Sequence, residues 1–238
     1  MNYEILIHNY EFLINILGGA SQMIVIVGCN KGGASKTTTA TNVAVALAKA
    51  GSEVCLVDAD PQRTSAKWHA EREAGDKKPS ITLIEKRDNI ASTLRSLDEK
   101  YEYVIVDVAG RNSRELITGA TVAHKILAPH QCSQFDLDTL EELQEQVVKI
   151  RDLNPGLVVQ IYHAMASTNA SVKAKERSEF LGYLGEFPEF QVIDAVGFYR
   201  KAYKDAAAEG LSVIEVGNEA ASAEVYALVK EVFGHGKA

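Results

Sequence analysis

Ten consecutive residues, Cys29-Asn30-Lys31-Gly32-Gly33-Ala34-Ser35-Lys36-Thr37-Thr38, carry two lysines, two glycines and three hydroxyl side chains between an apolar run and an amphipathic one. A glycine-rich loop entered from a strand and leaving into a helix is a phosphate-binding loop. Its backbone N–H groups and the helix N-terminus present partial positive charge to phosphates. Lys36 then reaches the β and γ oxygens, and Thr37 ligates Mg²⁺. The nucleotide-binding stretch predicted on this basis is Lys31, Gly32, Gly33, Ala34, Ser35, Lys36, Thr37 and Thr38. Lys31 stands out because a second lysine so early in the loop is not needed to hold phosphate.

Two further segments end apolar runs in carboxylates. Val54-Cys55-Leu56-Val57-Asp58 leads through Ala59 to Asp60, and Pro61 then stops the strand and exposes the loop that follows. Tyr103-Val104-Ile105-Val106-Asp107 has the form of a Walker B strand, whose terminal Asp107 binds Mg²⁺ directly or through water. The small residues after it, Val108-Ala109-Gly110, with Arg111, form a flexible turn suited to sensing a γ-phosphate.

The elements that must hold these residues follow from periodicity. Apolar runs at MIVIVGC, VCLVD, ITLIE, YVIVD, HKILA and LVVQIY read as buried strands. Helices are expected over Thr37–Ala50, Ser65–Ala74, Ile90–Lys100, Glu115–Ala123, Asp136–Asp152 and Val172–Leu184, the first stopped by Gly51. Alternation of this kind predicts an α/β fold: a three-layer P-loop NTPase domain with a mainly parallel central sheet flanked by helices. Right-handed crossovers put the strand C-terminal ends, and with them all the motifs above, on one rim.

Composition narrows the choices. The chain has 238 residues, 46% hydrophobic and 24% charged, with a formal net charge of -7, so nucleic-acid contact requires a local basic patch. Cys29, Cys55 and Cys132 lack CxxC spacing and read as small buried or semi-buried residues of a reducing compartment. His8, His69, His124, His130, His163 and His235 have no metal-site spacing. Residues 1–22 contain a short apolar stretch, Phe12 to Leu17, without a positive start, and are a poor signal peptide. They read either as a natural extension or as an artefact of the assigned start, in front of a single domain expected over 23–238.

The KGGxxKTT arrangement of the loop resembles the deviant Walker A box of the ParA, MinD and nitrogenase iron-protein superfamily, and most closely the ParA family of partition ATPases. The resemblance extends through DADPQ, HKILAPHQCSQFDLDTLEEL and FYRKAYKDAAAEGLSVIEV, nearly everything from Met23 onward. It implies ATP and Mg²⁺ as ligands and ATP hydrolysis as the activity. Lys31 would be the signature lysine that crosses a dimer interface to the partner's nucleotide, Lys36 the P-loop lysine and Thr37 the metal ligand. Asp60 would position the attacking water, with Asp58 in support. Ser35 departs from the family, which usually has glycine there; a Cβ at this place would crowd the backbone as it wraps the phosphates or force an unfavourable φ.

The resemblance further implies a cytoplasmic, nucleoid-associated protein that forms a homodimer with ATP, binds DNA without sequence preference and is stimulated by a ParB-like centromere-binding partner. Two basic clusters are candidates for the DNA contact: Lys173, Lys175 and Arg177 on one helix, and Arg200, Lys201 and Lys204 around the start of another. Ordinary solvated charges are the alternative for each. The tail AEVYALVKEVFGHGKA sets Val225, Leu228, Val229, Val232 and Phe233 at helical spacing with few cations, which predicts a core-packed helix and no membrane binding. Trp68, Tyr199 and Tyr203 are too sparse for a base-stacking platform. Two other functions stay open: a nucleotide-responsive DNA-binding adaptor in which Ser35 has suppressed hydrolysis, and a MinD-like positioning ATPase.

Overall fold

A computed structural model describes residues 22–110, 113–133 and 136–234. The expected extension over 1–22, except Gln22, together with His8, Arg111 and His235, lies outside the described residues.

Apolar runs with β-branched residues on both faces are stable only when both faces are covered, and the strands assemble accordingly. Seven strands, β1 (Met23–Val27), β2 (Val54–Ala59), β3 (Thr82–Glu85), β4 (Tyr103–Val108), β5 (Lys125–His130), β6 (Val158–Ala166) and β7 (Gln191–Phe198), form one sheet in the order β3-β2-β4-β1-β5-β6-β7. Every neighbouring pair is parallel. The helices between them are α1 (Lys36–Lys49), α2 (Thr64–Ala74), α3 (Ala91–Asp98), α4 (Arg114–Ala120), α5 (Asp136–Arg151), α6 (Ala170–Leu184), α7 (Lys201–Ala208) and α8 (Glu219–Phe233), with a 3₁₀ turn at Val213–Glu215.

Strand alternation divides the interior into two cores. Val25, Val27, Leu56 and Ile105 face α1 and α8, whereas Ile24, Ile26, Val57, Val104 and Val106 face α3, α4 and α5. This is the expected three-layer α/β arrangement. In α8, Val225, Leu228, Val229, Val232 and Phe233 are all buried, and the Phe233 ring meets Tyr103 edge-on at 5.3 Å. Among the described residues no helix is long and apolar enough to cross a membrane.

The expected helices and strands are present, with ends shifted by a few residues. β7 was not anticipated. It is a sheet-edge strand whose residues alternate between covered and exposed, and its Asp194 and Gly197 interrupt the apolar run that marks the inner strands.

Register explains why the motifs converge. Asp58 pairs with Asp107 across β2 and β4, and Val27 pairs with Asp107 across β1 and β4. The two carboxylates therefore lie level with each other, Asp107 one strand and Asp58 two strands away from the point where β1 runs into the phosphate-loop sequence.

Candidate nucleotide site

Beyond β1 the backbone turns sharply and enters α1. Gly33 has φ 75° and Ser35 has φ 64° with ψ 21°, so both adopt the left-handed conformation. Glycine adopts it freely, whereas serine pays for its Cβ. Ser35 occupies the N-cap of α1 without a side-chain cap, and its carbonyl accepts the first helical bond from Thr39 N–H at 2.8 Å. Ser35 thus leaves the first-turn N–H groups of α1 without a side-chain cap, as an anion-binding helix N-terminus requires.

Lys36 is buried and its Nζ donates to the carbonyl of Lys31 at 2.7 Å. The P-loop lysine thus spans the loop it would share with phosphate oxygens. Lys31 itself donates to Ser133 Oγ at 3.3 Å, and Gln131 Nε2 donates to the Gly33 carbonyl at 3.1 Å. Gly110, at the end of β4, fits tightly under the same loop: a Cβ there would sit 3.2 Å from the Lys31 carbonyl carbon and oxygen. The residues that follow both β4 and β5 therefore touch the loop.

Thr37 Oγ1 donates to Asp107 Oδ2 at 2.7 Å, and Ser65 Oγ donates to the same oxygen at 2.8 Å. Asp107 Oδ1 is buried with no hydrogen-bond partner among the described residues. Burial pushes the Asp107 carboxyl up to about 7; the Thr37 and Ser65 hydrogen bonds oppose the rise, while nearby Asp58 and Asp60 add to it. An orphaned carboxylate oxygen beside a threonine hydroxyl is the donor set of a hard cation, and it fits Mg²⁺ held by Thr37 and Asp107.

Asp58 is fully buried and acts as a frame for the turn after β2. Its Oδ1 accepts from Asp60 N–H at 3.0 Å and its Oδ2 from Ala66 N–H at 2.8 Å. Burial raises its carboxyl above the usual range, and these two backbone bonds and Arg87 counteract part of the rise. Arg87 also donates to the carbonyls of Asp58 and, at 2.7 Å, of Asp60. Asp60 stands at the surface of the hollow, its Oδ1 accepting from Gln62 N–H at 2.8 Å. Sequence reading missed Ser65 and Arg87. A serine in the first turn of α2 and an arginine after β3 carry no spacing signal of their own.

The loop opens into one cavity of about 500 Å³. Gly32 to Thr39 and Asp60 form one wall, and Met165, Phe198, Arg200, Tyr203 and Lys204 form the wall opposite. The second basic cluster is thereby divided. Arg200 and Lys204 line the cavity, and exposed Lys201 pairs with Asp205 at 3.2 Å. The first cluster is also divided. Lys173 lies over the Phe198 ring at 4.3 Å, Lys175 is exposed and pairs with Glu179 at 3.7 Å, and Arg177 turns back to donate to the Ile193 carbonyl at 2.8 Å.

Residues 23–176 match the family described as ATPase MipZ. The chain belongs to the MipZ/ParA family of ATPases. Within that family it is 33% identical to the maintenance of carboxysome distribution protein A of Gloeobacter kilaueensis, over 81% of this chain and 84% of that one. It is 26% identical to the chromosome partitioning protein ParA of Myxococcus xanthus, over 67% and 71% of the respective chains. The fold matches an ATP complex of McdA from Cyanothece with a TM-score of 0.73 at 18% identity, covering 89% of this chain and 96% of that one. The matched residues run from β1 into α6 and include the phosphate loop, Asp60 and Asp107, and they end before β7, α7 and α8.

Proposed function

We propose that this chain is an Mg²⁺-dependent ATPase that partitions DNA, cycling between an ATP-bound homodimer on nucleoid DNA and a released ADP state. The observation that carries the reading is the convergence of Thr37, Asp107 and Asp60 on a phosphate loop that also holds Lys31 and Lys36.

The α1 N-terminus and the loop amides bind the phosphates, and Lys36 exchanges its bond to the Lys31 carbonyl for the β and γ oxygens. Thr37 and Asp107 would hold Mg²⁺, which when bound would supply charge neutralisation at the phosphates. Asp60 orients water in line with the γ-phosphate. Lys31 leaves Ser133 to reach the nucleotide of a second copy, and its charge there stabilises the transition state in the manner of an arginine finger. A hydrolysis step that needs a residue from each subunit couples turnover to dimerisation, which gives a ParB-like partner an interface on which to act.

For the DNA contact, the exposed cations of the two clusters are Lys173, Lys175, Lys201 and Lys204. Phosphate contacts by these side chains predict DNA binding with ATP and Mg²⁺, its loss with ADP, and a log-log decline with salt. Charge reversal of Lys201, with Lys204 kept because it lines the cavity, tests this assignment by equilibrium binding to nonspecific duplex DNA. Unchanged affinity and salt slope would exclude Lys201.

A second reading has an observation in its favour. Ser35 holds the left-handed conformation with a Cβ present, and a strained loop that slows hydrolysis would leave an ATP-responsive DNA-binding adaptor. The relatives that distribute carboxysomes and partition chromosomes support a positioning or segregation role in either case.

A further inference from the structure

The cavity wall opposite the phosphate loop is organised by a residue that does not itself line the cavity. Glu224, in the second turn of α8, is only 8% exposed, and its carboxylate gathers three donors. Phe198 N–H donates to Oε2 at 3.2 Å, the Tyr203 hydroxyl to Oε2 at 2.9 Å, and Arg200 Nε to Oε1 at 2.6 Å. They come from the end of β7, the connection after it and the first turn of α7, and Phe198, Arg200 and Tyr203 all line the cavity.

A glutamate in this position is costly unless its partners compensate for lost hydration. Docking of α8 does not require it, because Val225, Leu228, Val229 and Val232 already pack the helix into the core. What Glu224 adds is geometry. It fixes the Arg200 guanidinium, whose centre lies 5.6 Å from the Phe198 ring, and orients the Tyr203 phenol. The loop amides and Lys36 claim the phosphates at one end of the cavity. The rest of a nucleotide must then lie along the remaining wall, which is the wall that Glu224 holds.

We propose that Glu224 is a positioning residue for nucleotide binding: by fixing Arg200 and Tyr203 it preorganises the side of the cavity that receives the nucleoside, and it links that side to helix α8. The proposal rests on the ATP-binding reading given above.

The test compares two ligands on the full chain with Mg²⁺: a fluorescent ATP analogue, and inorganic tripolyphosphate measured by competition. Glu224→Gln keeps an acceptor oxygen but removes the charge that holds Arg200. It is expected to raise the ATP-analogue Kd about tenfold and to leave the tripolyphosphate Kd unchanged. Tyr203→Phe removes a single hydroxyl, and an increase of about threefold confined to the ATP analogue is expected even if Glu224→Gln does not fold. A Glu224 that serves only the fold would lower the melting temperature while both Kd values stay as in the wild type, and that result overturns the proposal. Equal weakening of both ligands overturns it as well, since it would mean a loosened loop. A wild-type chain that binds neither ligand removes the ATP-binding reading and this inference together, and so is distinct from failure of the inference alone.

Discussion

Thr37 and Asp107, seventy positions apart, are joined by a 2.7 Å hydrogen bond from the first turn of α1 to the end of β4. The bond ties the phosphate loop to the neighbouring strand through the two groups that fit a magnesium ion. Ser65 completes the arrangement from α2 by donating to the same carboxylate oxygen.

At the proposed Mg²⁺ site Ser65 would act on the metal through Asp107. Ser65→Ala removes one of the two hydrogen bonds that favour the charged carboxylate, and loss of a hydrogen bond to a metal-ligating carboxylate typically weakens metal affinity about 10- to 100-fold. A Mg²⁺ titration of ATP turnover should show a half-saturation shifted upward by about tenfold, with the maximal rate largely kept. An unshifted titration would show that Ser65 supports the fold alone.

Ser35 carries strain that glycine would not. Ser35→Gly should stabilise the nucleotide-free chain by about 1 kcal/mol, partly offset by the extra freedom of glycine in the unfolded chain. For a chain of this size that corresponds to roughly 2–4 °C in melting temperature. Turnover should change little if the loop already tolerates serine. A large rise in turnover would favour the adaptor reading, and a lower melting temperature would show that Ser35 is not strained.

His163 gives the stability a pH dependence with a definite sign. It is buried in β6, stacked on Phe180 at 4.2 Å, and neither ring nitrogen has a hydrogen-bond partner among the described residues. Burial, helped by the Arg177 charge, pulls its pKa down to about 4, although Glu176 stands 3.9 Å away and favours the charged form. The unfolded chain thus takes up the proton first, near the ordinary value of about 6.5. The histidine's contribution is present above that value and is lost as pH falls toward 4, at about 1 kcal/mol per pH unit. Denaturant unfolding between pH 7 and 4.5 should show a shallower decline for His163→Leu than for the wild type. Parallel curves would contradict the assignment.

Arg72 is fully buried and makes two bonds to Glu215, at 2.9 and 3.0 Å, besides bonds to the carbonyls of Pro79 and Gly210. It anchors α2 to the 3₁₀ turn before α8. Arg72→Met leaves the Glu215 carboxylate without its guanidinium partner, and should cost about 3–5 kcal/mol in chemical denaturation. Nucleotide affinity of the folded fraction should be retained, because Arg72 does not line the cavity.

The fold and the phosphate side of the site were legible because each is written in local pattern. Asp58 and Asp107 end apolar runs, and parallel register alone brings them level. The part of the cavity proposed to receive the nucleoside was not legible, because Glu224 meets Arg200 and Tyr203 only through tertiary packing of α8. The basic clusters show the limit most clearly. Lys173 and Arg177 are four residues apart and share a helix face, whereas Lys175 falls almost opposite. Sequence proximity grouped the three, yet Arg177 is committed to the sheet and Lys175 to solvent. Arg200, Lys201 and Lys204 were likewise grouped by proximity, and in the structure Arg200 and Lys204 line the cavity while Lys201 pairs with Asp205.

The most direct test of the account is ATP turnover by the purified chain with Mg²⁺, measured alone and with nonspecific DNA plus a centromere-binding partner, beside Lys36→Ala as the blank. The account predicts slow basal hydrolysis that the additions stimulate and that Lys36→Ala abolishes. Tight ATP binding with no turnover under any of these conditions would contradict it.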